Sequence, residues 1–181
     1  MVVGSSALAS SAAASLTLPK LVVASTTSPT ITAAYIATSV ALGASGAVFV
    51  VPNLTPWYQN LNKPKWSPPN KVFAPVWTTL YALIGFAAAR AFGHHPLRHG
   101  RALTVFSIHA TANLAWAPVF FGLHRLRAGF FLSCLLLLLA VASSVEIGLL
   151  AGWGVGFLLV PYVAWLCYAT GLNYRLWRLN E

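Results

Sequence analysis

Charge is what this sequence most lacks. Its 181 residues include eleven basic and two acidic side chains, a charged share of 7% where soluble domains carry about 25%. So few charges cannot cover the surface of a soluble fold of this length. Disorder is excluded as well, because 58% of the chain is apolar and 13% aromatic, the reverse of a disordered composition. Cysteine is scarce too. Cys134 and Cys167 both fall inside apolar runs, with no CxxC spacing and no neighbouring histidine. That argues against a disulfide framework or a zinc site and for thiols that act as small hydrophobes. No nucleotide-binding glycine loop, nucleophile–base pair or metal cluster is present, which argues against ordinary hydrolytic or redox catalysis. The net charge of +9 would suit nucleic acid only as a clustered basic face on a soluble fold. Here the basic residues fill short gaps between apolar runs, as loop charges do in membrane proteins. No nucleic-acid partner is expected. The reading is an all-α, polytopic membrane protein whose first partner is lipid.

A helix needs about 20 apolar residues to cross roughly 30 Å of hydrocarbon. Five stretches qualify: 31–51, 72–91, 102–123, 128–150 and 155–177. They predict a five-transmembrane-helix bundle over residues 31–181, with short connections except between the first two spans. Lys63, Lys65, Lys71, Arg125, Arg127, Arg175 and Arg178 lie on one side of this topology, and Lys20, Arg90, Arg98 and Arg101 on the other. The excess predicts a cytosolic C-terminus. The sequon at Asn53 lies on that same side, almost at the membrane, and is read as unused. Residues 1–30 differ from the rest, with six Ala, seven Ser, four Thr, one Lys and no Arg or acid. They read as a flexible tail or a targeting segment, and the second option predicts an organellar membrane (mitochondrial outer membrane, plastid or endomembrane).

The richest segment is 56–69, which runs Pro56-Trp57-Tyr58 through Lys63-Pro64-Lys65-Trp66-Ser67-Pro68-Pro69. Trp, Tyr and Lys at a membrane boundary commonly form an interfacial belt. Four prolines in this stretch also stiffen it, as a lid over an apolar ligand requires. Both uses fit these residues.

Several ordered motifs together resemble the translocator protein family, the tryptophan-rich sensory proteins and peripheral-type benzodiazepine receptors. They are Trp57-Tyr58, Lys63 to Pro69, Phe73-Ala74-Pro75-Val76-Trp77-Thr78-Thr79-Leu80-Tyr81, Asn113 to Gly122, Pro161 to Trp165, and Leu172 to Asn180. The resemblance covers about residues 35–180. It implies a five-helix membrane fold, often a homodimer, that binds porphyrins such as protoporphyrin IX and haem. In animal members it also implies sterol and benzodiazepine-type ligands. No obligatory cofactor is implied. The activities it implies are tetrapyrrole transport or scavenging, stress signalling, and light-dependent porphyrin breakdown. For the last of these, Trp66 and Trp165 are the candidates carried over.

Helical spacing places His109, Asn113, Trp116 and Phe120 on one face, Trp165, Ala169 and Leu172 on another, and Trp77, Tyr81 and Ala88 on a third. Polar groups at membrane depth face protein or a cavity. The expectation is a flat slot between spans two, three and five under the 56–69 loop. Trp66 closes over it, Trp165 forms a wall, Asn113 and His109 supply polar contacts, and Trp57 stands at the rim. Asn113 serves equally well as a bond between helices, and Asn173 better so.

His109 stands where family members usually carry Gln. Haem-iron ligation by its imidazole is possible chemistry, but a lone intramembrane histidine without a second donor reads first as a helix-bonding residue. Ala128 replaces an animal-type Trp near the ligand and puts drug affinity in doubt, and Leu132 replaces an acid. Glu146 lies about one turn from a span end and reads as interfacial. His94, His95 and His99 read as a solvated loop. Leu172, Tyr174 and Arg178 match a loose sterol-contact pattern. Gly152 and Gly156, with Ala110 and Ala117, offer small residues for close helix approach and dimerisation.

Overall fold

The computed structural model describes residues 27–93 and 100–181. The tail up to residue 26 and the histidines at 94, 95 and 99 lie outside the described residues. The rest forms five apolar helices long enough to span a membrane: α1 (Pro29–Tyr58), α2 (Asn70–Phe92), α3 (Gly100–Gly122), α4 (Leu126–Ala151) and α5 (Trp153–Leu179). Each encloses or overlaps its expected span.

The main difference is at the end of α1, which continues to Tyr58 instead of stopping near Val51. Pro52 sits inside its second segment, and a wider turn from Leu54 to Tyr58 follows. The path kinks at Thr55, whose φ of −133° and ψ of 125° are extended, and resumes as a helical turn at Pro56. Trp57 and Tyr58 are therefore helix residues, and the connection to α2 is shorter than expected.

The helices stand in the order α1–α2–α5–α4–α3 around the bundle. α1 lies along α2, α3 along α4, and α4 along α5, while the Pro29–Ser45 part of α1 meets α3 only sparsely and its Ala47–Asn53 part packs on the end of α3 at Pro118–Gly122. Small residues allow the close approaches. A side chain at Gly85 of α2 would come within 2.7 Å of the α1 backbone at Tyr35 and Ile36. At Gly43 of α1, the ring of Tyr81 occupies the place a Cβ would take. The α4–α5 turn depends on Gly152, whose φ is +97°, a conformation that only glycine adopts readily. A Cβ on Gly156 would meet Gly148 and the Ser144 carbonyl of α4. Gly156 thus packs within the chain, while a Cβ on Gly152 would meet open space.

α4 shows how the bundle tells inside from outside. Gly129, Ser133, Leu136, Ala140, Ser143 and Ile147 are buried, at the spacing of one helix face. Phe131, Leu135, Leu138, Val145 and Leu149 on its other faces are exposed. An apolar exterior on a packed helix is the pattern of a lipid-facing surface. Glu146 of α4 pairs with Arg101 of α3 at 2.8 Å, which accounts for one of the two acids.

Gly85→Val is expected to lower stability by about 1–3 kcal/mol through overpacking of the α1–α2 contact. Thermal unfolding of the detergent-solubilised protein measures the loss.

Candidate functional site

A cavity of about 370 Å³ lies within the bundle, toward the α1–α2 connection, and all five helices border it. Its size falls in the range of small-ligand pockets. α2 contributes Phe73, Trp77 and Tyr81, α3 Asn113, Trp116 and Phe120, and α5 Ala169 and Leu172. Trp116 stacks on Phe120 with 4.8 Å between ring centroids, and Trp77 stacks on Tyr81 at 5.5 Å. Each indole is held by its neighbours. The Trp116 N–H donates to Ser133 Oγ at 3.0 Å, and Ser133 in turn donates to the Gly129 carbonyl. Flat aromatic walls with few polar atoms favour a planar apolar ligand through stacking and dispersion.

Polar side chains border this cavity at several points, among them Asn70, Thr78 and Ser133. At one end Tyr81 donates to Asn113 Oδ1 at 2.9 Å, and Asn113 Nδ2 donates to the Tyr162 hydroxyl at 2.8 Å. Tyr162 pairs with His109 Nε2 at 2.9 Å. This line of hydrogen bonds ties α2, α3 and α5 together at membrane depth. Deeper along α5, Asn173 donates to the Ala169 carbonyl of its own helix. The residue borders the cavity, and its Oδ1 is buried without a partner.

Seven residues singled out from sequence border the cavity: Trp77, Tyr81, Asn113, Trp116, Phe120, Ala169 and Leu172. Four do not. Trp57 packs edge-on against Phe120 and Phe121 and stacks on His124 at 4.1 Å, so it backs the wall from outside. Trp66 is 48% exposed and lies edge-on to Tyr168, whose hydroxyl donates to the Trp66 carbonyl. It does not close over the cavity. Trp165 packs between Phe73 and Tyr168 and forms no cavity wall. His109 is 2% exposed and borders a separate groove between α1, α2 and α3. With Nε2 held by Tyr162 and the ring outside the main cavity, His109 does not fit as an axial ligand for haem bound there. No cluster of three metal-ligating side chains occurs among the described residues.

The sterol-contact pattern divides in the same way. Leu172 is buried at the cavity while Tyr174 is 43% exposed, and Arg178 pairs with Glu181 at 2.6 Å. The three do not form one surface. Ala128 is exposed on the first turn of α4 and does not border the cavity, whereas Leu132 packs against the core.

Sequence reasoning missed the contribution of α1 and α4. Gly43, Ala44, Gly46 and Ala47 of α1, with Val50, Leu54 and Tyr58, form one side, and Ser133 and Leu136 of α4 border another. The signal was the cluster of small residues at 43–47, which leaves room beside a helix.

The 59–69 connection is pinned to the C-terminus. Asn180 Oδ1 accepts from the Asn62 amide, and its Nδ2 donates to the Asn62 carbonyl at 2.9 Å. The Lys63 ammonium donates to the carbonyls of Gln59 and Leu61 and lies 4.7 Å from the Tyr58 ring centre. Partial burial lowers its pKa from the usual lysine value.

These features define a five-helix membrane protein with an aromatic-walled cavity that opens beside the exposed Ala44, Ala47 and Val51 of α1. The chain belongs to the TspO/MBR family, whose model matches residues 34–178. It is 39% identical over 156 residues to protein CrtK of Rhodobacter capsulatus, covering 83% of this chain and 93% of that protein. It is 40% identical to the tryptophan-rich sensory protein of Cereibacter sphaeroides, with 68% and 77% covered. It is 36% identical to the human translocator protein, with 69% and 75% covered.

Two outcomes follow from this geometry. Tyr162→Phe strands Asn113 Nδ2 and His109 Nε2, and is expected to cost about 1–3 kcal/mol of stability, read by thermal unfolding. Asn180→Ala frees the 59–69 connection and is expected to speed its cleavage in limited proteolysis while helix content by circular dichroism stays unchanged.

Proposed function

We propose that this protein binds a planar tetrapyrrole such as protoporphyrin IX in the main cavity, and scavenges or translocates it across or within its membrane. The observation that carries this reading is the aromatic cavity itself, with Trp77, Tyr81, Trp116 and Phe120 around a space that offers few polar atoms. Such walls stack on a flat ring system without demanding a particular polar edge. Family membership and the names of relatives, a tryptophan-rich sensory protein and a translocator protein, are consistent with ligand sensing or transfer. A sterol alcohol of similar bulk is the alternative cargo. Light-dependent degradation has less support, because neither Trp66 nor Trp165 borders the cavity. The excess of basic residues around the 59–69 connection and the C-terminus supports a cytosolic C-terminus. The Ser/Ala/Thr-rich tail supports an organellar address, and the family resemblance supports a homodimer.

Titration of the purified protein with protoporphyrin IX, in the dark and under illumination, tests the reading. Saturable binding in the dark without chemical change supports it, bleaching to a new product in the light favours the enzyme, and no binding refutes both. Removing a stacked aromatic typically costs about 1–3 kcal/mol, or roughly five- to a hundred-fold in affinity. Trp77→Ala and Trp116→Ala are expected to weaken porphyrin binding by that factor. Trp66→Ala is expected to leave affinity within about two-fold, because Trp66 lies outside the cavity.

A further inference from the structure

The outer face of α4 carries a stripe that the main cavity does not use. Arg127, Phe131, Leu135 and Leu138 are all exposed, and their spacing puts them on one side of the helix. In order from the α3–α4 turn toward mid-membrane they present a cation, an aromatic ring and two leucines. From Arg127 to Leu138 the stripe runs about 16 Å at the usual helical rise, about half of the roughly 30 Å of hydrocarbon. That is the depth filled by the acyl chains of one leaflet.

The cation at the head of the stripe is held in place but not neutralised. The Arg127 guanidinium lies 6.0 Å from the Phe131 ring centre and 5.8 Å from that of Trp177 on α5. Phe130 stacks on Trp177 at 5.5 Å and lies 5.4 Å from Tyr174, so the indole beside the guanidinium is itself fixed. The sequence has two acids, and neither pairs with Arg127: Glu146 holds Arg101, and Glu181 holds Arg178. Glu181 is the single acid at the end of the bundle that carries most of the basic residues. Arg178 lies 5.5 Å from the same indole and adds to the positive field, although Glu181 engages it. A planar guanidinium resting on aromatic faces keeps its N–H edge free to hold a phosphate through two hydrogen bonds.

We propose that this face of α4 and α5 is a binding site for one anionic phospholipid. The phosphate sits on the Arg127 guanidinium beside Trp177, and an acyl chain lies along Phe131, Leu135 and Leu138. A zwitterionic headgroup brings its own cation next to Arg127 and is held less well, so the site selects lipids of net negative charge. It lies on the outside of the bundle and stands independently of what the main cavity binds.

Native mass spectrometry of the full-length protein tests the site. The protein is released from nanodiscs that contain equal phosphatidylglycerol and phosphatidylcholine with matched chains. The parent is expected to retain one phosphatidylglycerol in preference to phosphatidylcholine by about five-fold. Arg127→Gln should abolish that preference, and Arg127→Lys, which keeps the charge but not the planar fork, should retain part of it. Phe131→Ala leaves every charge in place and should lower the preference by about two-fold. Arg125→Gln removes the same charge two positions away, on a different side of the helix, and should change the preference far less than Arg127→Gln. Glycerol 3-phosphate, which has the phosphate without the chains, should not displace the lipid at equal concentration. Equal retention of the two lipids would overturn the proposal. So would an equal loss in Arg125→Gln and Arg127→Gln, which would leave only diffuse charge. Displacement by glycerol 3-phosphate would make this a site for free phosphate and overturn the lipid assignment. Circular dichroism checks the helix content of each variant, and Arg127→Lys and Phe131→Ala decide the question should Arg127→Gln not fold.

Discussion

A polar atom at membrane depth has no water to fall back on, and the arrangement of this bundle follows from that constraint. Tyr81, Asn113, Tyr162 and His109 come from three helices and bond to one another in a single line, with His109 Nδ1 left unpaired. Individually such bonds are modest in a bilayer, about 0.6 kcal/mol on average. Their geometric demand is larger than their energy. α2, α3 and α5 must present these atoms within about 3 Å of each other, the usual hydrogen-bond range, and that fixes where the aromatic walls on the same helices stand. Because the line sits at the boundary between two cavities, it shapes both.

The fold was almost fully legible because lipid imposes a simple rule. Twenty apolar residues form a helix, and charges mark the gaps. The end of α1 was not legible. The helical path runs past Pro52, kinks at Thr55, whose backbone is extended, and turns helical again through Tyr58. Proline weakens a helix only by what its missing donor and ring cost locally, and packing against α3 and the α3–α4 turn outweighs that. Asn53 and Trp57 both contact His124 of the turn, an interaction that no pattern within α1 announces.

The candidate site divides along a similar line. Residues at helical spacing, such as Asn113, Trp116 and Phe120 on α3, come together as their periodicity requires. His109 shares that face by spacing, but it lies a full turn beyond Asn113 and ends on the far side of the Tyr81 wall. Trp66 had no periodicity to place it, since it sits in an irregular connection. Its position depends on contacts more than a hundred residues away, Asn62 with Asn180 and Trp66 with Tyr168. Sequence shows a stiff aromatic loop, and only tertiary contact decides whether the loop faces the cavity or the solvent.

In α4, hydrophobicity does not separate inside from outside at all, because lipid and core both accept leucine. Its inner face is marked by small and weakly polar residues, Gly129, Ser133, Ala140 and Ser143, which admit neighbouring helices where leucine would hold them apart. The same logic governs the wall between the two cavities. Gly43 leaves the space that the Tyr81 ring fills, so the ring closes the gap between α1 and α3 while its hydroxyl holds Asn113. A larger residue at position 43 would move the ring, and moving the ring would strand the amide. The absence of a side chain on α1 is therefore part of what keeps a polar line intact two helices away.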